Sequence, residues 1–281
     1  MSSGWTRLGL IAGGGALPRL VAQACAADGR LGCVIALQGF ADPAGFDDPV
    51  VRTIGQFGHV VKDLHAAGCD AVCFAGIVTR PDFRSFVPDM EGAKLLPRLL
   101  AAAVRGDDAL LRVVVKAFED HGLQVVGADE LSSSLLAPSG VIGGDVDVEA
   151  HRQDIDKAMQ MAAAIGVLDA GQGAVVCEGL VLALEAQEGT DAMLERVAGL
   201  PETIRGTRQT PRGVLAKRPK PQQERRIDLP VVGVATVERA AAAGLAGIAV
   251  EAGAALILGR EAVDEAARRH GIFVVGVSAH S

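Results

Sequence analysis

Leu8-Gly9-Leu10-Ile11-Ala12-Gly13-Gly14-Gly15-Ala16-Leu17-Pro18 decides the fold class. The first five residues are small or apolar without alternation and read as a buried strand. Three glycines then turn the chain into a helix over 18–27, and Pro18 suits its first turn, where a missing N–H costs nothing. A glycine turn between strand and helix lets backbone N–H groups and the helix N-terminus face a phosphate. The full dinucleotide fingerprint is absent, because Pro18 stands where the third glycine belongs and the next strand ends at Gln38 rather than at an acid. The Lys-Ser/Thr of a P-loop is missing as well. Gly13, Gly14, Gly15, Ala16 and Leu17 are candidate phosphate or nucleotide contacts. A turn that serves only close packing is the alternative.

Outward from that turn, strand and helix signals alternate: strands over 33–37, 71–75 and 123–126, a helix over 59–67, and a helical region over 94–121 with a break near Gly106. Continuous apolar strands between helices predict a parallel sheet covered on both faces. The boundaries expected are 1–130 for this first domain and 131–148 for a Ser-, Gly- and Asp-rich linker. A second, less regular α/β domain fills 149–281, with helices over 149–165, 190–198, 236–243 and 261–270. Its strands are expected as a pair around Glu178-Gly179 within 174–186, then over 213–216, 231–235, 254–258 and 272–277.

The 281 residues fit two domains, and 49% hydrophobic content excludes disorder. With 27 Lys+Arg against 34 Asp+Glu, the net charge of −7 argues against a dedicated nucleic-acid binder. One Trp, eight Phe and no Tyr leave few stacking platforms for single strands. Cys25, Cys33, Cys69, Cys73 and Cys177 are odd in number and form no paired CxxC, which fits reduced thiols in the cytoplasm. No apolar run is long and uncharged enough to span a bilayer, so any membrane contact would be peripheral.

Chemistry concentrates in three places. Gly76, Thr79 and Arg80 follow a buried strand, at the sheet edge where ligands of doubly wound folds bind. A basic stretch contains Arg208, Arg212, Lys217, Arg218, Lys220, Arg225 and Arg226, interrupted by Pro211, Pro219 and Pro221. It reads as a loop or strand edge that meets an anion, or else as a solvated flexible loop. Asp228 lies just beyond it, and neighbouring cations favour its charged form. Glu188, Thr190 and Asp191 sit at a strand-to-helix junction: either Thr190 or Asp191 caps the helix, or Glu188, Asp191 and Asp228 are oxygen ligands around Mg²⁺. Helix capping accounts for at least one of Asp107 and Asp108. No HExxH or G-x-S-x-G occurs, so zinc catalysis and a serine triad are not expected. Carboxylate-held Mg²⁺, cationic clamps and a glycine cradle belong to phosphoryl-group chemistry.

Seven strings in the same order carry a resemblance: Gly9-Leu-Ile-Ala-Gly-Gly-Gly15 with Leu17-Pro18, Ala75-Gly-Ile-Val-Thr-Arg-Pro81, Gly106-Asp-Asp-Ala-Leu-Leu-Arg112, Leu168-Asp-Ala-Gly-Gln172, Glu185-Ala-Gln-Glu-Gly-Thr-Asp191, Lys217-Arg-Pro-Lys-Pro221 and Arg226-Ile-Asp-Leu-Pro230. The chain resembles the LpxI-type UDP-2,3-diacylglucosamine pyrophosphatases, cytosolic enzymes of lipid A biosynthesis in Gram-negative bacteria, over nearly its whole length. One departure is Gln222-Gln223-Glu224, where Gly-Gln-Asp is expected. The resemblance implies a Rossmann-like first domain, a family-specific second domain and substrate between them. It implies Mg²⁺-dependent hydrolysis of UDP-2,3-diacylglucosamine to UMP and 2,3-diacylglucosamine 1-phosphate (lipid X), with water attacking the sugar-side phosphorus.

Asp228, Asp191 and Lys217 are then the expected catalytic residues, with Asp228, Asp191 and Glu188 on the metal. Gln172, Thr190, Lys220, Gln223 and Arg226 join Gly13–Leu17, Gly76, Thr79 and Arg80 in binding substrate. Peripheral contact with the inner face of the inner membrane and a homodimer complete the partner expectations. A nucleotide-sugar or lipid-binding module without turnover, and a Rossmann-type oxidoreductase, remain as alternatives.

Overall fold

The computed structural model describes residues 4–79 and 87–278, and the chain divides into two compact units. The first is Met1–Ser133 together with Glu224–Asp228; the second is Ser134–Gln223 together with Leu229–Ser281.

In the first unit the order is β1 (Leu8–Ala12), α1 (Leu17–Ala27), β2 (Leu31–Leu37), β3 (Val50–Arg52), α2 (Phe57–Ala66), β4 (Ala71–Ala75), α3 (Met90–Ala103), α4 (Asp107–Asp120), β5 (Gln124–Val126) and α5 (Ala128–Leu131). The strands lie β3-β2-β1-β4-β5 and every pair is parallel. Every residue of central β1 is buried, as its unalternating sequence requires. Ile11, Ile35, Leu64, Val72, Phe118 and Leu123 belong to one apolar cluster on this sheet, each contributing roughly 1.5–3 kcal/mol by burial. Ile227, from the five-residue segment contributed by the far end of the chain, packs against the same cluster. The expected helical break is real: α3 and α4 are separated by Gly106, whose φ of 127° suits only glycine. β3 escapes a sequence reading because it is three residues of half-exposed edge with no apolar run.

The second unit holds β6 (Gly140–Gly143), α6 (Arg152–Val167), β7 (Gly173–Cys177), β8 (Leu180–Leu184), α7 (Gly189–Ala198), β9 (Val214–Lys217), β10 (Val231–Val232), α8 (Val234–Ala242), β11 (Gly247–Glu251), β12 (Leu256–Ile257), α9 (Arg260–His270) and β13 (Phe273–Val277). Its six-stranded sheet runs β6-β13-β11-β9-β7-β8, with β9, β11 and β13 parallel and β6, β7 and β8 joined antiparallel. β10 and β12 form a separate parallel pair. The β7–β8 hairpin turns on Glu178 and Gly179, both at positive φ, the geometry of a two-residue hairpin matched to strand twist.

Three elements depart from the sequence reading. β11 lies inside an Ala- and Gly-rich stretch without helical or strand periodicity, yet it is a central strand with four buried residues. The strand expected over 231–235 stops at Val232, because Gly233 donates its N–H to Thr236 Oγ1 and starts α8 two residues earlier than expected. β6 lies within the Ser/Gly/Asp-rich stretch 131–148 and pairs with β13.

Candidate functional site

The strand order of the first unit reverses direction between β1 and β4, and the carboxyl ends of those two strands carry the glycine strings. Gly13 N–H donates to Ala75 O, Gly14 N–H to Ile77 O, and Ile77 N–H returns to Gly14 O, each at 2.8 Å. The two turns are thereby stitched together. A side chain on Gly13 would meet Ile77 O at 2.7 Å, and one on Gly76 would meet Gly14 O at 2.5 Å. The packing role weighed for the first turn therefore holds for Gly13, and Gly76 serves the same close approach from the other side. Because Gly13 and Gly14 spend their N–H groups on this bridge, an anion at the turn is left to Gly15, Ala16 and Leu17. Those residues head α1, whose N-terminus has no side-chain cap. Gly76 and Thr79 are exposed at the same edge, while Arg80 lies outside the described residues.

The segment 224–228 sits at this edge too. Arg226 Cα lies 3.5 Å from where a side chain on Gly127 would stand, just beyond the end of β5. Capping was expected of at least one of Asp107 and Asp108. The Asp108 side chain, on the first turn of α4, instead accepts the Glu224 N–H at 2.7 Å, and Arg112 Nε holds its other oxygen at 2.7 Å. Arg226 forks onto Glu224 (Nε–Oε1 2.8 Å, Nη2–Oε2 2.9 Å) and reaches Glu119 Oε1 at 2.8 Å through Nη1. The Arg226 guanidinium holds the Glu224 carboxyl below the usual carboxylate range, against the opposing effect of burial. Glu224 is thus the anchor of this segment, and half-buried Asp228 follows one helical turn on, its N–H bonded to Glu224 O.

In the second unit, Lys217 ends β9 with only 6% of its surface exposed, and its Nζ donates to Val231 O at 3.0 Å. Arg218 N–H donates to Gln172 O, Gln223 Nε2 meets Gln172 Oε1 at 3.3 Å, and Gln223 Oε1 accepts the Lys220 N–H at 2.8 Å. Lys220 Nζ reaches Asp169 at 2.6 Å. Four expected residues, Lys217, Gln172, Lys220 and Gln223, therefore lie close together at the carboxyl end of β9. The basic stretch is not a solvated flexible loop: Arg212 pairs with Glu178, Arg218 with Glu251 and Lys220 with Asp169.

The acidic group at the head of α7 departs from the capping reading. Thr190 and Asp191 do not cap the helix: Thr190 Oγ1 donates to Glu185 Oε2 at 3.2 Å, and Asp191 faces Arg239 at 3.1 Å. Glu188 is taken up by Arg196, and its own backbone N–H together with Arg196 keeps its carboxyl below the usual range. Among the described residues no group of three or more His, Cys, Asp or Glu side chains stands ready to hold a metal.

Sequence reasoning passed over Asp108, Asp169 and Glu185 as site residues. Glu185 is 7% exposed, with its carboxylate against Gly173, where a side chain would meet it at 2.3 Å. The available signal was position: all three fall inside the seven ordered strings.

Residues 7–135 match the LpxI N-terminal domain, and residues 138–275 match the LpxI C-terminal domain. The chain belongs to the LpxI family. A relative from Caulobacter vibrioides, UDP-2,3-diacylglucosamine pyrophosphatase LpxI, is 57% identical over 272 residues, covering 96% of this chain and 97% of its own length. The boundary between the two LpxI domains falls close to the division at Ser133. The glycine edge and Asp108 fall in the first LpxI domain, and the lysine–glutamine cluster falls in the second. No helix among the described residues is long and apolar enough to cross a membrane.

Proposed function

We propose that this LpxI-family chain hydrolyses the diphosphate of UDP-2,3-diacylglucosamine to UMP and 2,3-diacylglucosamine 1-phosphate. The observation that carries the reading is the family match through both domains, to a relative named for that activity. The local chemistry is compatible. At the sheet edge of the first unit, Gly15, Ala16 and Leu17 offer N–H groups at an uncapped helix head, suited to a phosphate of the uridine diphosphate. Thr79, exposed beside them, supplies a hydroxyl. In the second unit Lys217 and Lys220 supply cations for phosphate charge, and Gln172, Gln223 and Thr190 supply neutral donors and acceptors.

Asp228 is the residue we assign to the attacking water, as the carboxylate that orients it or accepts its proton. The new bond joins water oxygen to phosphorus. The bridging P–O bond breaks and UMP leaves. Mg²⁺ takes one or two carboxylates, waters and phosphate oxygens, so it needs no three-carboxylate cage. Asp228 with the substrate's own phosphates is the donor set proposed for it, and when bound it would neutralise diphosphate charge. Glu188 and Asp191, each facing an arginine, are left out of that set.

The test is UMP release from UDP-2,3-diacylglucosamine by the full chain, with and without EDTA, for wild type and Asp228→Ala. Release that needs Mg²⁺ and drops about 10³-fold or more in the variant is expected. Tight substrate binding without any release would replace hydrolysis by a carrier role.

A further inference from the structure

Helix α3 has three faces rather than two. Gly92, Leu95, Leu99, Ala102 and Ala103 are buried, as in any helix on a sheet. A second apolar row points outward: Met90, Ala93, Pro97, Leu100, Ala101 and Val104 are all exposed, Met90 at 77%, Leu100 at 45% and Val104 at 86%. Their spacing puts them within an arc of roughly 100°. Along one margin of that arc run Lys94, Arg98 and Arg105, also exposed. An ordinary surface helix carries charge where α3 carries Met, Leu and Val.

We propose that this outer face of α3 is a docking surface for an anionic phospholipid bilayer, with the apolar row entering the acyl boundary and the basic row meeting headgroup phosphates. The inference rests on the substrate reading above, since a sugar with two acyl chains is presented in a membrane. The charge pattern selects this partner over a second copy of the chain. The chain carries −7 overall, yet a row of cations borders this one apolar stripe. An amphipathic helix with Lys and Arg beside its apolar face lies in the plane of an anionic interface. Two acids stand nearby: Glu91, bonded to Lys94 at 2.6 Å, and Asp120, bonded to Lys116 and 3.9 Å from Arg98. Such exposed pairs are weak and exchange readily for phosphate.

Cosedimentation of the full chain with phosphatidylcholine vesicles, with and without phosphatidylglycerol, tests the surface without requiring turnover. Binding to the phosphatidylglycerol vesicles that weakens with salt is expected. It should fall about tenfold in the double variant Leu100→Glu, Val104→Asp. Both side chains are exposed, so circular dichroism should match wild type and hydrolysis of detergent-dispersed substrate should persist. Wild-type protein that stays in the supernatant overturns the proposal, as does undiminished binding by the variant. So does a dimer, by sedimentation velocity, that the double substitution dissolves without any vesicle binding. Loss of hydrolysis in detergent for wild type itself would strike the substrate reading instead.

Discussion

The carboxylate of Asp108 holds the backbone N–H of Glu224 at 2.7 Å, across 116 residues of sequence. The bond ties the first turn of α4, inside one of the seven ordered strings, to the segment that ends at Asp228. Asp108→Ala leaves that N–H and Arg112 without their acceptor. A loss of about 2–3 kcal/mol is expected from urea denaturation. With Asp108 as a positioning residue for the proposed role of Asp228, kcat should fall with KM nearly unchanged, and Asp108→Asn should recover part of the loss. A variant with wild-type midpoint and kcat would remove Asp108 from the site.

Glu224 links stability to acid. Its carboxyl is held below the ordinary range by Arg226, so the folded state keeps it charged at pH values where the unfolded chain protonates it. The stabilisation is complete above the unfolded value near 4.5 and drains away as pH falls through the lower folded value. Thermal midpoints measured from pH 7 down to pH 3 should therefore drop more steeply for wild type than for Glu224→Gln. Parallel curves would show that the Arg226 fork contributes nothing to folding.

Lys217 is a nearly buried cation at the end of β9, bonded to Val231 O. Lys217→Met preserves its bulk and removes its charge. The orphaned carbonyl should cost about 1 kcal/mol, while kcat falls roughly 10²–10³-fold. Stopped-point UMP assays beside a melting curve separate the two effects. Equal loss in both would make Lys217 a packing residue.

Gly76 and Gly179 both have positive φ, but only Gly76 has a backbone oxygen, Gly14 O, 2.5 Å from its missing side chain. Gly76→Ala should cost roughly 2–5 kcal/mol, the sum of backbone strain and overpacking. Gly179→Ala, with open space around it, should cost only about 1 kcal/mol. Denaturant midpoints of the two variants compare them directly, and equal costs would show that close approach of the two turns is unimportant.

Local pattern carried much of this molecule. The unalternating Leu8–Ala12 run, the glycines behind it and the helix after Pro18 require a buried parallel strand whatever surrounds them. The Glu178-Gly179 turn likewise announces its hairpin. The resemblance also grouped Gln172, Lys217 and Lys220 through its ordered strings, and Gln223 from beside them, as expected substrate contacts or catalytic residues. What those residues touch was settled by tertiary structure alone. An aspartate at a helix start reads as a cap because capping is local, whereas Asp108 serves a backbone N–H contributed from position 224. That Glu188 pairs with Arg196, and Asp191 with Arg239, is likewise decided by groups brought together in the fold. β11 is a short continuous apolar run, which periodicity cannot tell from a buried helical segment, and its place between β9 and β13 makes it a strand. Periodicity and turn chemistry act between near neighbours and are written in the sequence. Ion pairing and strand pairing depend on groups far apart along the chain, and only the folded arrangement selects them.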